Sequence, residues 1–135
     1  AQIARYGSQQ FQLNVDGRRY DCYSAIVANA RYYGGSFVLS RQADISAPSL
    51  QVLMFQKPGR WSLVKFMLAL LVGRMESMDG VLSLPAQSIE VAAVDGEPLQ
   101  ADGDPAGALP AHIEVDSVSL PVRVPAATLK AFTKV

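Results

Sequence analysis

An antiparallel β-sandwich carrying one principal helix is the fold class this sequence predicts, a mainly β domain. Three observations predict it. Short alternating or apolar runs recur along almost the whole chain, turn signals built from Gly, Pro and Asp-Gly separate them at even spacing, and a single segment beginning near Trp61 has helical periodicity.

The first run alternates: Phe11, Leu13 and Val15 are apolar and Gln12 and Asn14 polar, and Asp16-Gly17 then supplies a two-residue hairpin turn. The return strand is expected to be long, running from Arg18 through Tyr20, Cys22 and Tyr23 into Ala25-Ile26-Val27-Ala28. It becomes apolar on both faces, as a strand entering a sheet interior does, and ends at Asn29. Tyr32-Tyr33 follow, and the pair Gly34-Gly35 allows positive φ or a close backbone approach. Phe37-Val38-Leu39 is a short strand, Arg41 to Ser49 a loop holding Asp44 and Pro48, and Leu50 to Phe55 a buried strand broken by Lys57-Pro58-Gly59.

In the helix, Trp61, Val64, Leu68, Leu71 and Val72 share one side at three- and four-residue spacing, and Gly73 is the natural C-terminal cap. Phe66, Met67 and Leu70 widen the apolar surface beyond a stripe. The expectation is a helix packed into the core and covered on most sides, with a lipid-contacting face as the rival reading. After Asp79-Gly80 the chain returns to strands over Val81–Leu84, Ser88–Val94, His112–Val115 and Ser117–Val124. Ala101 to Pro110 reads as a mobile loop, and Ala126 to Val135 is weakly helical in composition.

The length of 135 residues suits one domain over 1–135, and 50% hydrophobic against 18% charged residues is enough to fill a core. Twelve basic residues balance twelve acidic ones and are scattered, which argues against a nucleic-acid partner. Cys22 is the only cysteine, so neither an intrachain disulfide nor a Cys-rich metal site is open to the chain, and a reducing compartment fits. No secretory pattern opens the sequence. The stretch Trp61 to Val72 contains Lys65 and is shorter than the roughly 20 residues that span a bilayer. A soluble domain is expected.

Two residue sets could carry chemistry. Val94-Asp95-Gly96-Glu97-Pro98-Leu99 reads on spacing alone as a second Asp-Gly hairpin turn. The other reading is functional. Two carboxylates two residues apart point the same way from an extended backbone, so that one accepts a proton while the other positions a metal ion or water. His112 has no nucleophile motif beside it and is expected to be structural, and Cys22 is expected to be a small buried hydrophobe. The sequence contains no Walker loop, no Gly-x-Gly-x-x-Gly before a helix and no metal-binding His or Cys cluster.

The order of Ile26 to Gly35, a loop with Pro and Asp, a strand, the helix ending at Gly73 and finally Val94 to Leu99 resembles the C-terminal domain of the bacterial diacylglycerol kinase and sphingosine kinase family of lipid kinases. The resemblance runs from about Phe11 to Pro125. It implies a C-terminal β-sandwich domain whose partner, an N-terminal ATP-binding domain with a Gly-Gly-Asp-Gly-Thr loop, is absent from this chain. ATP and Mg²⁺ would serve the complete enzyme and not bind tightly to this chain alone. The resemblance makes Asp95 the general base toward a lipid hydroxyl, gives Glu97 a supporting or magnesium-holding role, and places Asn29, Gly34 and Gly35 at the substrate cleft. It further implies a diacylglycerol-like lipid substrate met through an apolar cleft, transient membrane contact and a cytoplasmic location at the inner membrane face.

The sequence also departs from the pattern. Ser36 stands where a third glycine usually follows the pair. Asp44 matches one acidic position of a segment that in the family often holds a structural divalent ion, while Ala47 and Pro48 replace the second acidic residue and the glycine after it, removing a charged oxygen ligand. Two rival readings remain: a catalytically dead lipid-binding or regulatory module, and an NAD kinase-like domain, which calls for ring-stacking and ribose contacts around Asn29 or Asp95.

Overall fold

The computed structural model describes residues 9–33, 35–92 and 97–125. β1 (Phe11–Val15) and β2 (Arg18–Cys22) form the expected hairpin, with Leu13 opposite Tyr20 and Val15 opposite Arg18. Asp16 and Gly17 both take positive φ, 48° and 83°, the geometry that a two-residue turn matched to strand twist requires. The Asp16 carboxylate also reaches across to a third strand, accepting the backbone N–H of Ser88 at 2.8 Å and of Gln87 at 3.1 Å.

The long return strand is in fact two strands. β2 ends at Cys22, the chain bends at Tyr23, and β3 (Ser24–Ala28) joins a different sheet. The Tyr23 N–H donates to the Phe55 carbonyl at 2.9 Å, and this bond starts the pairing with the second sheet. A strand that feeds both layers of a sandwich must turn a corner between them. The both-faces-apolar pattern from Ala25 onward marks where that corner has been passed.

Sheet A has the order β11-β8-β1-β2, with β8 (Ser88–Val91) and β11 (Ala111–Glu114), and sheet B the order β3-β6-β7, with β6 (Leu50–Phe55) and β7 (Val81–Ala86). All their pairings are antiparallel. Pro85 is tolerated in β7 because that strand is an edge. The two sheets close on one core in which Leu13, Val15, Cys22, Ile89 and Val91 of sheet A meet Val52, Met54 and Ala86 of sheet B.

β6 is buried on both faces. Val52 and Met54 point to the inter-sheet core, while Leu53 and Phe55 point the other way, to Phe66 and Leu70 of α1 (Arg60–Leu71), Met75 and Leu39. The Phe55 and Phe66 rings lie 4.6 Å apart and tilted by 53°, a favourable aromatic geometry. The layers are therefore sheet A, sheet B and helix. The helix ends as predicted at Gly73, at φ 63°: Gly73 N–H donates to Leu70 at 3.1 Å and Arg74 N–H to Ala69 at 2.8 Å, the paired bonds of a Schellman cap. A part-buried polar network fastens the following 3₁₀ turn (Met75–Ser77). Gln51 donates to Ser83 at 2.8 Å, and Glu76 accepts from Ser40 and from the Arg41 N–H.

Three further expectations are corrected. The helix is not covered on most sides: Phe66 and Leu70 are buried, whereas Trp61 is 81% exposed and Val64, Met67, Leu68, Leu71 and Val72 are exposed with it. One apolar stripe fills the contact with β6, and the opposite one faces outward. Ala101 to Pro110 is not a loop but mostly a hairpin, β9 (Pro98–Ala101) and β10 (Asp104–Ala108), turned by Asp102 and Gly103, both at positive φ. Ser117 to Val124 forms no strand; Pro121 lacks a ladder donor, and Val118, Leu120 and Val122 are exposed. The remaining pair, β4 (Tyr32–Tyr33) with β5 (Phe37–Val38), packs its second strand against α1. The segment Ala126 to Val135 lies outside the described residues.

Candidate functional site

β8 sits in the interior of sheet A, between β11 and β1, and carries the chain toward Asp95. Val91 opposes Leu13 on one side and Ala111 on the other, and the Ala92 N–H donates to the Gln12 carbonyl at 3.0 Å. Asp95, with the rest of 93–96, lies outside the described residues. Glu97, the next described residue, is half-buried, and its carbonyl accepts the Leu109 N–H at 3.1 Å and closes the base of the β9–β10 hairpin. The described chain on either side of 93–96 is thus held by backbone hydrogen bonds.

Beside Ala92 the outer face of sheet A carries a polar row built by register. Arg19 opposes Asn14, Asn14 opposes Glu90, and Glu90 opposes His112. Asn14 donates its Nδ2 to Glu90 Oε2 at 2.9 Å, and its buried Oδ1 has no partner among the described residues. Gln12, Asn14, Arg19, Glu90 and Ala92 line a shallow cleft of about 300 Å³ that reaches Ala92, the last described residue before 93–96. One row further, Ser88 Oγ lies 3.1 Å from His112 Nε2, with Glu114 Oε2 at 3.9 Å from the same nitrogen. A relay needs the carboxylate on the other ring nitrogen, so this exposed Ser-His-Glu group does not have the geometry of a catalytic triad.

Sequence reasoning missed this row because its members come from four strands. The signal was the polar half of each alternation: Gln12 and Asn14, Arg19 and Asp21, Ser88 and Glu90, His112 and Glu114.

The other expected site residues belong to the sheet B side. Asn29 is exposed just beyond Ala28, which pairs with Gln51 at the start of β6. Gly34 lies outside the described residues. Gly35 turns between β4 and β5 at φ 88° with nothing within 4 Å of where a Cβ would sit, so it serves conformation and not close approach. Among the described residues no hydrogen bond joins Asn29, Gly35 or Asp44 to Glu97.

Asp44 is exposed and turns on its own loop. Its Oδ1 accepts the Ser46 hydroxyl at 2.7 Å and the Ser46 N–H at 2.9 Å, and these bonds hold its carboxyl below the usual carboxylate range. Among the described residues no group of three or more His, Cys, Asp or Glu side chains could hold a metal ion. This donor set does not fit a hard-cation site, and no step is derived through a metal at Asp44.

A family model for the YegS C-terminal NAD kinase β-sandwich-like domain matches residues 1–124. The chain belongs to that family. Two curated proteins from Mycobacterium tuberculosis, both named diacylglycerol kinase, one from strain CDC 1551 / Oshkosh and one from strain ATCC 25618 / H37Rv, are 30% identical to it over 128 residues. The match covers 93% of this chain and 41% of each relative, so the YegS-type domain spans well under half of their length. A diacylglycerol kinase crystal structure from Bacillus anthracis str. Sterne superposes with a TM-score of 0.60 at 17% identity, over 84% of this chain and 44% of that one. A putative diacylglycerol kinase from the same strain gives 0.55 at 15% identity, over 83% and 37%. These structures carry the fold: a mainly antiparallel β-sandwich with one α-helix among the described residues.

Proposed function

We propose that this YegS-type domain is the lipid-facing C-terminal part of an ATP-dependent kinase that phosphorylates the hydroxyl of diacylglycerol or a related lipid, and that it is inert alone. The observation that carries the reading is 30% identity across 93% of the chain to proteins named diacylglycerol kinase, of which the chain spans 41%.

In this reading Asp95 accepts the proton of the lipid hydroxyl, whose oxygen forms the new bond to the terminal phosphorus of ATP. The bond from that phosphorus to the bridging oxygen breaks, and ADP leaves with the electron pair. Glu97, held at the base of the β9–β10 hairpin, orients the acceptor or assists Asp95. Magnesium, when bound with the nucleotide in the complete enzyme, supplies charge neutralisation on the phosphates. This chain's part is to position the hydroxyl and take its proton, with Asn29, Gly34 and Gly35 proposed at the lipid cleft.

A second reading, a catalytically dead lipid-binding module, is favoured by one feature: the Asp44 loop closes on Ser46, with Ala47 and Pro48 next to it. The test is transfer of labelled terminal phosphate from ATP with magnesium. The intact protein that contains this chain and the chain alone would each be offered dispersed diacylglycerol, sphingosine or NAD. Transfer to a lipid alcohol by the intact protein only is expected. Transfer by neither supports the binding module, transfer to NAD supports the NAD kinase-like reading, and turnover by the chain alone overturns the two-domain reading.

A further inference from the structure

The outward face of α1 exposes Trp61, Val64, Met67, Leu68 and Leu71, with Val72 just beyond, and nothing in the proposed chemistry uses it. Trp61, Val64, Leu68, Leu71 and Val72 fall within a stripe of about 100° on a regular helix, directly opposite the Phe66 and Leu70 side that contacts β6. Trp61 is 81% exposed, Val72 67%, Leu71 59% and Leu68 58%. The β4–β5 hairpin, whose second strand packs on this helix with Val38 Cβ 3.8 Å from the position a Cβ on Gly73 would take, exposes Tyr32, Tyr33 and Phe37 as well. Single exposed apolar residues need no account; a set that lines one face of a helix, with further exposed aromatics on the hairpin packed beside it, does.

The charges say which partner fits. Residues 31–43 and 57–75, which supply this surface, carry Arg31, Arg41, Lys57, Arg60, Lys65 and Arg74. Half of the twelve basic residues are in these two segments and none of the twelve acidic ones. The rest of the chain, holding six basic and twelve acidic residues, is net negative, so zero overall charge conceals a strong polarity. Lys57 meets Asp79 across the edge of the patch, and Arg41 reaches the Gly73 carbonyl at 3.4 Å. On the helix itself Lys65 borders the apolar stripe. A protein interface is depleted of lysine at its core, whereas an apolar stripe with Trp and Tyr and a surround in which cations outnumber the acids at its border, Glu76 and Asp79, is a composition that rests at the surface of an anionic bilayer. No helix among the described residues is long and apolar enough to cross a membrane, so the contact is with the interface.

We propose that the outer face of α1, with the β4–β5 hairpin beside it, docks this domain onto the surface of an anionic phospholipid membrane. This rests on the proposed lipid substrate and names the surface by which the protein reaches it.

Trp61 is the chain's only tryptophan and a built-in reporter. With vesicles of phosphatidylcholine mixed with phosphatidylglycerol, its emission is expected to shift to the blue and to be quenched by acyl-brominated lipid. Phosphatidylcholine alone should give much less, and added salt should weaken the response. Leu68→Ser with Leu71→Ser should lower the partition coefficient about tenfold or more on both vesicle types. Lys65→Glu should lower it about tenfold on the anionic vesicles only. Far-ultraviolet circular dichroism that matches the parent shows that the variants have folded.

Trp61 emission that neither vesicle moves overturns the proposal. So does Trp61 shielded without lipid, whether by self-association of the chain or by another domain of the intact protein. In the intact protein the Leu68/Leu71 variant should lose turnover on vesicle-embedded diacylglycerol but keep it on a short-chain, dispersed one. If transfer to lipid is never seen while Trp61 still partitions, the kinase reading fails and the docking surface stands.

Discussion

The two outer surfaces of the sandwich differ in kind. Sheet A presents a polar face with partners within reach: Asn14 bonds Glu90, His112 meets Ser88, and Asp16 ties the β1–β2 turn to β8. The outer face of sheet B is covered instead: Leu53, Phe55 and Val81 pack in a cluster with Phe66 and Leu70 of α1, Met75 of the 3₁₀ turn and Leu39, and α1 in turn shows an apolar face outward. Alternation in a strand assigns one face to the core and the other to water with little ambiguity. A helix that is apolar all round makes no such assignment, and the face not used for packing is left for something else.

The sharpest way to break this contrast is to truncate leucines on the two sides of the same layer. Leu53→Ala, fully buried between sheet B and the helix, should cost about 2–5 kcal/mol of unfolding free energy in urea. Leu68→Ala, 58% exposed on the far side, should change it by less than about 0.5 kcal/mol. Equal costs would mean that the outer helix face is covered in the folded chain. On the sheet A side, Asp16→Ala removes the acceptor of the Gln87 and Ser88 N–H groups from a residue at φ 48°, and should cost about 1–3 kcal/mol.

Cys22 gives a pH test of the core between the sheets. Burial first, and the neighbouring Asp21 charge second, push its thiol up to about 12. Because the folded state holds that proton more tightly than the unfolded chain, the stability it contributes is full below about pH 9. It is lost as pH rises from there toward 12, at up to about 1.4 kcal/mol per pH unit. Cys22→Ala should lack that component of the slope. A thiol reagent at neutral pH should modify the native chain only on the timescale of unfolding.

Much of the fold was legible, and the exceptions have physical reasons. The Asp16-Gly17 hairpin and the doubly buried Leu50–Phe55 strand follow from two-residue periodicity and turn chemistry, and the Gly73 cap from positive φ. The corner at Tyr23 was hidden because a strand that changes sheets keeps its β-rich composition throughout. Asp102-Gly103 turns a hairpin like Asp16-Gly17, but Pro105 and Gly107, at a register shift in β10, masked it as a loop. The outward face of α1 was assigned inward because Trp61, Val64 and Leu68 are as apolar as Phe66 and Leu70, and only the position of β6 decides between them.

The site was legible in a different sense. Asp95 and Glu97 stand out through their place in a resemblance, whereas the Arg19, Asn14, Glu90 and His112 row exists only once strands far apart in sequence are paired.

The role of Asp95 is tested most directly by the rate of phosphate transfer from ATP to diacylglycerol in the intact protein carrying Asp95→Asn. Loss of a general base should lower that rate by about 10²-fold or more, with the urea midpoint unchanged. A rate near that of the parent protein would contradict the account.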